Sequence, residues 1–243
     1  VPVLFAGCDG KISRLQQLAE DYELKMIEDA AHSFGNKNLA FRNSVLCFSF
    51  DAIKNISCGD GGAILTSNAE VANRVKDMRL LGVIGDTNLR LHGKRSWDFD
   101  VIEQGWRYHM NDISAAIGRA QLVKFPLLSE TRRAIAKTYL YHLSHISQID
   151  LFPINTRTAV PHIFPIIVKN GKRDELKEFL AQKGVETGIQ YKPNHLLSLF
   201  NLGYTLPKSM KLYKSILSIP LHPLLSEADT LFVTNCIREF FCN

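Results

Sequence analysis

Short apolar runs in the first half of the chain each lie beside a residue able to do chemistry, and helical patterns separate them. Residues 24–27 (LKMI) run into Glu28-Asp29, residues 44–50 (SVLCFSF) lead to Lys54, and residues 62–66 (GAILT) follow the turn Gly59-Asp60-Gly61-Gly62. Residues 1–5 (VPVLF) read as a further strand. Between them, Ile12, Leu15, Ala19 and Tyr22 recur at helical spacing over residues 11–23. A second helix is predicted from Ser67, where Ser67-x-x-Glu70 forms a capping box over Val71, Val75 and Met78, with Gly82 as its stop. Strands alternating with helices predict a parallel sheet with crossover helices. In such open sheets ligands gather at the carboxyl ends of the strands, which is where Asp29, Ser49 and Lys54 fall.

The remainder has a different texture. Residues 82–105 are irregular and carry Arg90, His92, Lys94, Arg95 and Trp97; a loop longer than about 15 residues is usually functional or disordered. Residues 111–123 are predicted helical, with Ile113, Ala116, Ile117 and Ala120 on one face. Pro126 is expected to interrupt or kink that helix, with a further helical run over 131–145. Residues 162–168 (HIFPIIV) and 185–191 read as strands, 173–183 as a helix stopped by Gly184, and 227–241 as a last helix opened by Ser226-x-x-Asp229. The expectation is a large domain over 1–125 and a small α+β domain over 126–243.

Composition narrows the function classes. The 243 residues are 46% hydrophobic and 22% charged, with a net charge of +5, too mild to argue for nucleic acid. No apolar run nears the roughly 20 residues of a membrane-spanning helix. The five cysteines are scattered and never spaced C-x-x-C, which argues against a disulfide scaffold or any metal site and for a reducing cytoplasm. Phosphate-loop, dinucleotide, nucleophile-elbow and zincin motifs are absent. The chain opens directly on a strand-like segment without Met, so an amino-terminal portion is expected to be missing.

Asp29 follows an apolar strand, where a carboxylate needs a cationic partner; its alternative reading is a helix N-cap for residues 30–34. Lys54 follows a buried strand, where lost hydration lowers its pKa and makes the amine nucleophilic toward carbonyls; most lysines are merely solvated. Ser49 and the glycines after Lys54 can offer hydroxyl and backbone donors to a phosphate, or the glycines can simply turn the chain. A carboxylate, an amine and a phosphate cradle together describe a site for pyridoxal phosphate.

Longer motifs then stand in register. Ile27-Glu28-Asp29-Ala30-Ala31-His32-Ser33-Phe34-Gly35, Phe48-Ser49-Phe50-x-x-x-Lys54, Gly59-Asp60-Gly61-Gly62, and the run from Gly105 to Gly118 closely resemble the DegT/StrS family of pyridoxal-phosphate sugar-nucleotide aminotransferases. Gly188-Ile189-Gln190-Tyr191-x-Pro193-x-His195 and Ile219-Pro220-Leu221-His222-Pro223 extend the resemblance to the C-terminal part. It implies a fold-type-I α/β transferase, with a mostly parallel large-domain sheet that is incomplete at the N-terminus and a small α+β C-terminal domain. It implies Lys54 as the Schiff-base lysine and proton shuttle, Asp29 as partner of the pyridine nitrogen, His32 as donor to the phenolic oxygen, and Ser49 as a phosphate ligand. His195 falls where the family places a histidine near the sugar. Arg107 stands where relatives carry an Asn that reaches the neighbouring subunit's cofactor phosphate; a guanidinium can do the same work or serve a surface ion pair. Arg90 and Arg95 are candidates for the substrate diphosphate, or part of a solvated loop.

The implied reaction moves an amino group from an amino acid, most often glutamate, to a keto sugar linked to a nucleotide. The implied setting is a cytoplasmic homodimer serving polysaccharide or O-antigen biosynthesis. The relatives' N-terminal region, with its phosphate-binding loop and ring-stacking aromatic, has no counterpart here. A non-catalytic or complementing fragment is therefore the alternative. A related sugar dehydratase is a second, against which Lys54 speaks, since those enzymes carry histidine in its place.

Overall fold

The computed structural model describes residues 1–8, 10–39, 44–85, 89, 92–94 and 97–242. The chain divides into an N-terminal unit (Val1–Leu4, Asp9–Phe34, Leu39–Phe125) and a C-terminal unit (Phe5–Cys8, Gly35–Asn38, Pro126–Asn243).

The N-terminal unit is built on β1 (Met26–Asp29), β2 (Ser44–Ser49) and β3 (Gly62–Leu65), in the order β1-β2-β3. β1 and β2 are parallel, with Asp29 opposite Cys47. β3 is antiparallel to β2, with Gly62 opposite Ser49. Period-two alternation sorts the side chains: Met26, Glu28 and Leu46 are buried on one face, with Leu4, Ile12 of helix α1 (Ile12–Asp21) and Ala30. Asp29, Cys47 and Ser49 take the opposite face. Glu28 is 1% exposed and accepts hydrogen bonds from Gln16 Nε2 of α1 (3.0 Å) and Ser44 Oγ of β2 (2.7 Å). This network ties helix to sheet on the face away from Asp29.

Local expectations are corrected at several points. Residues 1–5 make no strand: Val3 forms a single parallel bridge to Asp29, and a 3₁₀ turn (Phe5–Gly7) follows at once. Pro2 lacks the N–H that a longer ladder would use. Helix α2 (Ala69–Met78) is capped by Asn68, not Ser67. The Asn68 carboxamide oxygen accepts from Glu70 N–H (2.8 Å) and Val71 N–H (3.1 Å), the reach that an N-cap needs. α2 ends at Met78, and Gly82, at φ 78°, closes the turn beyond it.

Pro126 does not break its helix. α3 runs unbroken through Asp112–Leu143 with Pro126 inside. Pro126 forgoes one helical hydrogen bond, at a cost of about 3 kcal/mol. On the C-terminal side, Ser129, Arg132, Ile135, Ala136, Tyr139 and Leu143 form a buried stripe at helical spacing, and burying that stripe outweighs the lost bond.

The C-terminal unit packs β4 (Ile149–Leu151), β5 (Phe164–Val168) and β6 (Ile216–Ile219) as an antiparallel sheet in that order. Helices α4 (Arg173–Gln182), α5 (Pro207–Ser215) and α6 (Glu227–Cys242) complete it. Its core gathers Ile135 and Tyr139 of α3, Phe164 and Ile166 of β5, Leu176 and Leu180 of α4, Leu217 and Ile219 of β6, and Val233 and Ile237 of α6. β4, β6 and α5 carry too little periodicity to be read from sequence. Residues 185–191 form no strand either; only Gly188 pairs, exchanging both backbone hydrogen bonds with Ser218 (2.9 and 2.7 Å). The box at Ser226 is present as expected. Ser226 Oγ accepts Asp229 N–H (3.1 Å), and Asp229 Oδ2 accepts Ser226 N–H (3.0 Å).

Candidate active site

The face of the N-terminal sheet that carries Asp29, Cys47 and Ser49 holds the candidate site. Asp29 ends β1, and its Oδ1 accepts the Ala31 N–H (3.0 Å) in an Asx turn that orients the carboxylate. Ala30 N–H donates to Cys47 O (2.9 Å) and Ser33 Oγ to Leu4 O (3.0 Å). These bonds fold residues 30–33 back against the sheet and bury His32.

Lys54 arrives through a turn governed by Asp51, which sequence reasoning passed over. Asp51 Oδ1 accepts Ile53 N–H (3.1 Å), and Asp51 O accepts Lys54 N–H (3.0 Å); an Asp heading a turn was the available signal. Next to Lys54, buried Asn55 donates to Phe34 O (3.2 Å). Phe34 in turn packs edge-on against Phe48, Phe50 and Phe125, with ring centroids 5.8, 5.5 and 5.0 Å away. The lysine is thus anchored to the same loop that carries His32.

The charges read one another. Burial pushes the His32 imidazole down to about 4, helped by the Lys54 ammonium and opposed by Asp29. Burial also lowers the Lys54 amine, against the pull of Asp51 and Asp29. The Cys47 thiol is raised by burial and by the Asp29 carboxylate across the ladder. Asp29, His32 and Lys54 therefore lie within electrostatic reach of each other.

Ser49 stands at the carboxyl end of β2, its Oγ accepting Asp51 N–H (3.3 Å). Behind it Gly62 is obligatory, since a Cβ there would lie 2.4 Å from Phe48 O. Arg107 is exposed on an extended segment bridged to Leu80, and no described interaction joins it to Asp29, His32 or Lys54. His195 lies in the C-terminal unit, buried in a 3₁₀ turn (Asn194–Leu196) beside a cavity walled by Phe200 and Tyr204. Arg90 and Arg95 lie outside the described residues.

Solved structures share this architecture. Helicobacter pylori PseC, an aminotransferase involved in the biosynthesis of pseudoaminic acid, has the same fold at TM-score 0.86 and 24% identity, over 98% of this chain and 65% of its own. DesV of S. venezuelae, solved in complex with a ketimine intermediate, matches at 0.86 and 28% identity, over 99% of this chain and 64% of its own. A DegT DnrJ EryC1 StrS aminotransferase from Brucella abortus matches at 0.84 and 30% identity, with coverage of 99% and 64%. The fold is that of the fold-type-I pyridoxal-phosphate sugar aminotransferases. The sequence profile of the DegT/DnrJ/EryC1/StrS aminotransferase family matches residues 1–238, and the chain belongs to that family. An uncharacterised protein of Methanocaldococcus jannaschii is 30% identical over 98% of this chain and 66% of its own length. The chain thus spans just under two thirds of the relatives it matches.

The residues present fit the family's cofactor. A carboxylate at a strand end suits a pyridinium N–H, a partly desolvated amine suits a carbonyl, and a strand-end hydroxyl suits a phosphate. Among the described residues no helix is long and apolar enough to cross a membrane, and no His/Cys/Asp/Glu group could hold a metal ion.

Proposed function

We propose that the chain carries the catalytic face of a sugar aminotransferase, in which an amino acid donates its amino group and a keto sugar linked to a nucleotide accepts it. The observation that carries this reading is the grouping of Asp29, His32 and Lys54 within electrostatic reach at the carboxyl end of β1 and in the loops that follow β1 and β2. Pyridoxal phosphate, when bound, supplies an electron sink for charge developing on the substrate carbon.

The chain's own residues do the rest. Asp29 holds the ring nitrogen in its protonated form by charge and hydrogen bond. His32, kept neutral by burial, offers an N–H to the ring oxygen without adding a competing charge. Lys54 Nζ, its proton affinity lowered by desolvation, takes a proton from the amino-bearing carbon of the donor, and a base of this kind works by reach first and pKa second. In the second half-reaction the same Nζ delivers a proton to the carbon of the acceptor. Ser49 donates its hydroxyl to the phosphate. Arg107 supplies a cation for the phosphate of a second subunit in a homodimer, and His195 meets the sugar.

The test is to add pyridoxal phosphate, reduce with borohydride and map the modified peptide by mass spectrometry. Labelling of Lys54 in preference to other lysines, abolished by Lys54→Ala, is expected. Scattered labelling of surface lysines would overturn the reading.

A further inference from the structure

The segment that carries Lys54 is an excursion hung on Phe50. Phe50 N–H donates to Gly61 O (2.8 Å), and Cys58 N–H returns to Phe50 O (2.9 Å), so residues 51–57 leave the end of β2 and come back to one fixed point. Apolar packing does not hold the near side of that loop: Ala52 is exposed and Ile53 is 67% exposed. Polar bonds from half-buried Asp51 hold it instead. Its N–H donates to Ser49 Oγ (3.3 Å), its C=O accepts Lys54 N–H (3.0 Å), and its Oδ1 accepts Ile53 N–H (3.1 Å).

These bonds have chemical consequences on both sides of Asp51. A hydroxyl whose oxygen accepts from Asp51 N–H keeps its own proton for another acceptor, as a phosphate ligand must. A carboxylate that closes an Asx turn fixes the backbone of the two residues after it, and Lys54 comes directly next. The carboxylate is also a charge. Burial lowers the proton affinity of the Lys54 amine, and two carboxylates oppose it, Asp51 on its own loop ahead of Asp29 at the end of β1. His32, at about 4, is neutral where an amine titrates, and the Cys47 thiol of β2 is raised by burial and by Asp29.

We propose that Asp51 is a positioning residue for Lys54 with two separable tasks: its Oδ1 bond to Ile53 N–H presents the amine to the site, and its carboxylate acts as the amine's local counter-charge. An amine weakened by burial alone is a poor base for the proton it must take up, and a carboxylate beside it restores part of that basicity. An aspartate that only shaped the turn would need its oxygen and not its charge. The inference deepens the function proposed above and rests on that reading for the work Lys54 does.

Two substitutions in the full chain divide the tasks. Asp51→Asn keeps an oxygen for Ile53 N–H and loses the charge; Asp51→Glu keeps the charge, but its longer side chain does not close an Asx turn. Without cofactor, competitive acetylation by trace acetic anhydride over a pH series, with the Lys54 peptide followed by mass spectrometry, reads the titration midpoint of that amine. The midpoint is expected to fall in Asp51→Asn and to stay with the parent's in Asp51→Glu. Borohydride trapping of pyridoxal phosphate on Lys54 at fixed pH is expected to slow about fivefold in Asp51→Glu, the size of one net hydrogen bond, and not to slow in Asp51→Asn. Circular dichroism reports the folding of each variant, and either one alone tests its own half. A midpoint unmoved in Asp51→Asn, or trapping unslowed in Asp51→Glu, would overturn the proposal. Lys54 trapped equally in parent and variants sinks only this inference. Lys54 untrapped in the parent sinks the aminotransferase reading, and the midpoint of Asp51→Asn then still judges Asp51.

Discussion

The protonation state of His32 is set by its surroundings. Its folded pKa of about 4 lies below the 6.5 of an exposed histidine, so below pH 6.5 the unfolded chain binds a proton that the folded chain resists. Stability therefore rises with pH in this window: the penalty is absent above 6.5, grows as pH falls, and is complete near 4. Urea melts of the parent chain and His32→Gln are expected to run parallel at pH 7.5 and to diverge between 6.5 and 4, the parent losing more. Glu28 gives a second expectation. Glu28→Leu removes the carboxylate that accepts from Gln16 Nε2 and Ser44 Oγ and is expected to cost about 1–3 kcal/mol in the same melts. Asp29 and Lys54 were legible in the sequence because each stands at the end of an apolar run, within a motif. Glu28 shares that motif, but its role was not legible there: its partner Gln16 comes from α1, and only packing of α1 on the sheet brings them together.

Caps and turns decide the elements. Ser226→Ala removes the acceptor of Asp229 N–H at the start of α6 and is expected to cost about 1 kcal/mol, as is Asn68→Ala at α2; denaturant midpoints report both. Ser67→Ala, by contrast, is expected to be near neutral, because Asn68 does the capping. Gly62→Ala places a Cβ 2.4 Å from Phe48 O and is expected to cost about 1–3 kcal/mol as an overpacking change, with increased amide exchange along β2 and β3. The capping box at Ser226 was readable because its bonds are local in sequence. The continuity of α3 through Pro126 was not. Local propensity argues for a break there, and the buried stripe from Ser129 to Leu143, visible only once its partners are packed, overrules it.

For the whole chain, binding of the cofactor is a stability measurement as well as a functional one. At a free concentration 100 times its Kd, pyridoxal phosphate is expected to stabilise the folded state by about 2.7 kcal/mol. Lys54→Ala is expected to reduce that gain, and a denaturation midpoint indifferent to pyridoxal phosphate would count against the reading of the site. Membership of the aminotransferase family was written in the order and spacing of its motifs, because the chemistry needs particular side chains at strand ends and strand ends are set by short apolar runs. The amino-acid sequence alone therefore pointed to the α/β character of the first half and the class of cofactor, and named Asp29, His32, Ser49 and Lys54 as candidates for the site. Packing settled what depends on groups distant in sequence. It set the antiparallel pairing of β3, the strands β4 and β6, and the depressed basicity of His32 and Lys54. Burial and hydrogen-bond partnership are properties of neighbours in space, and a linear pattern names those neighbours only when they are also close along the chain.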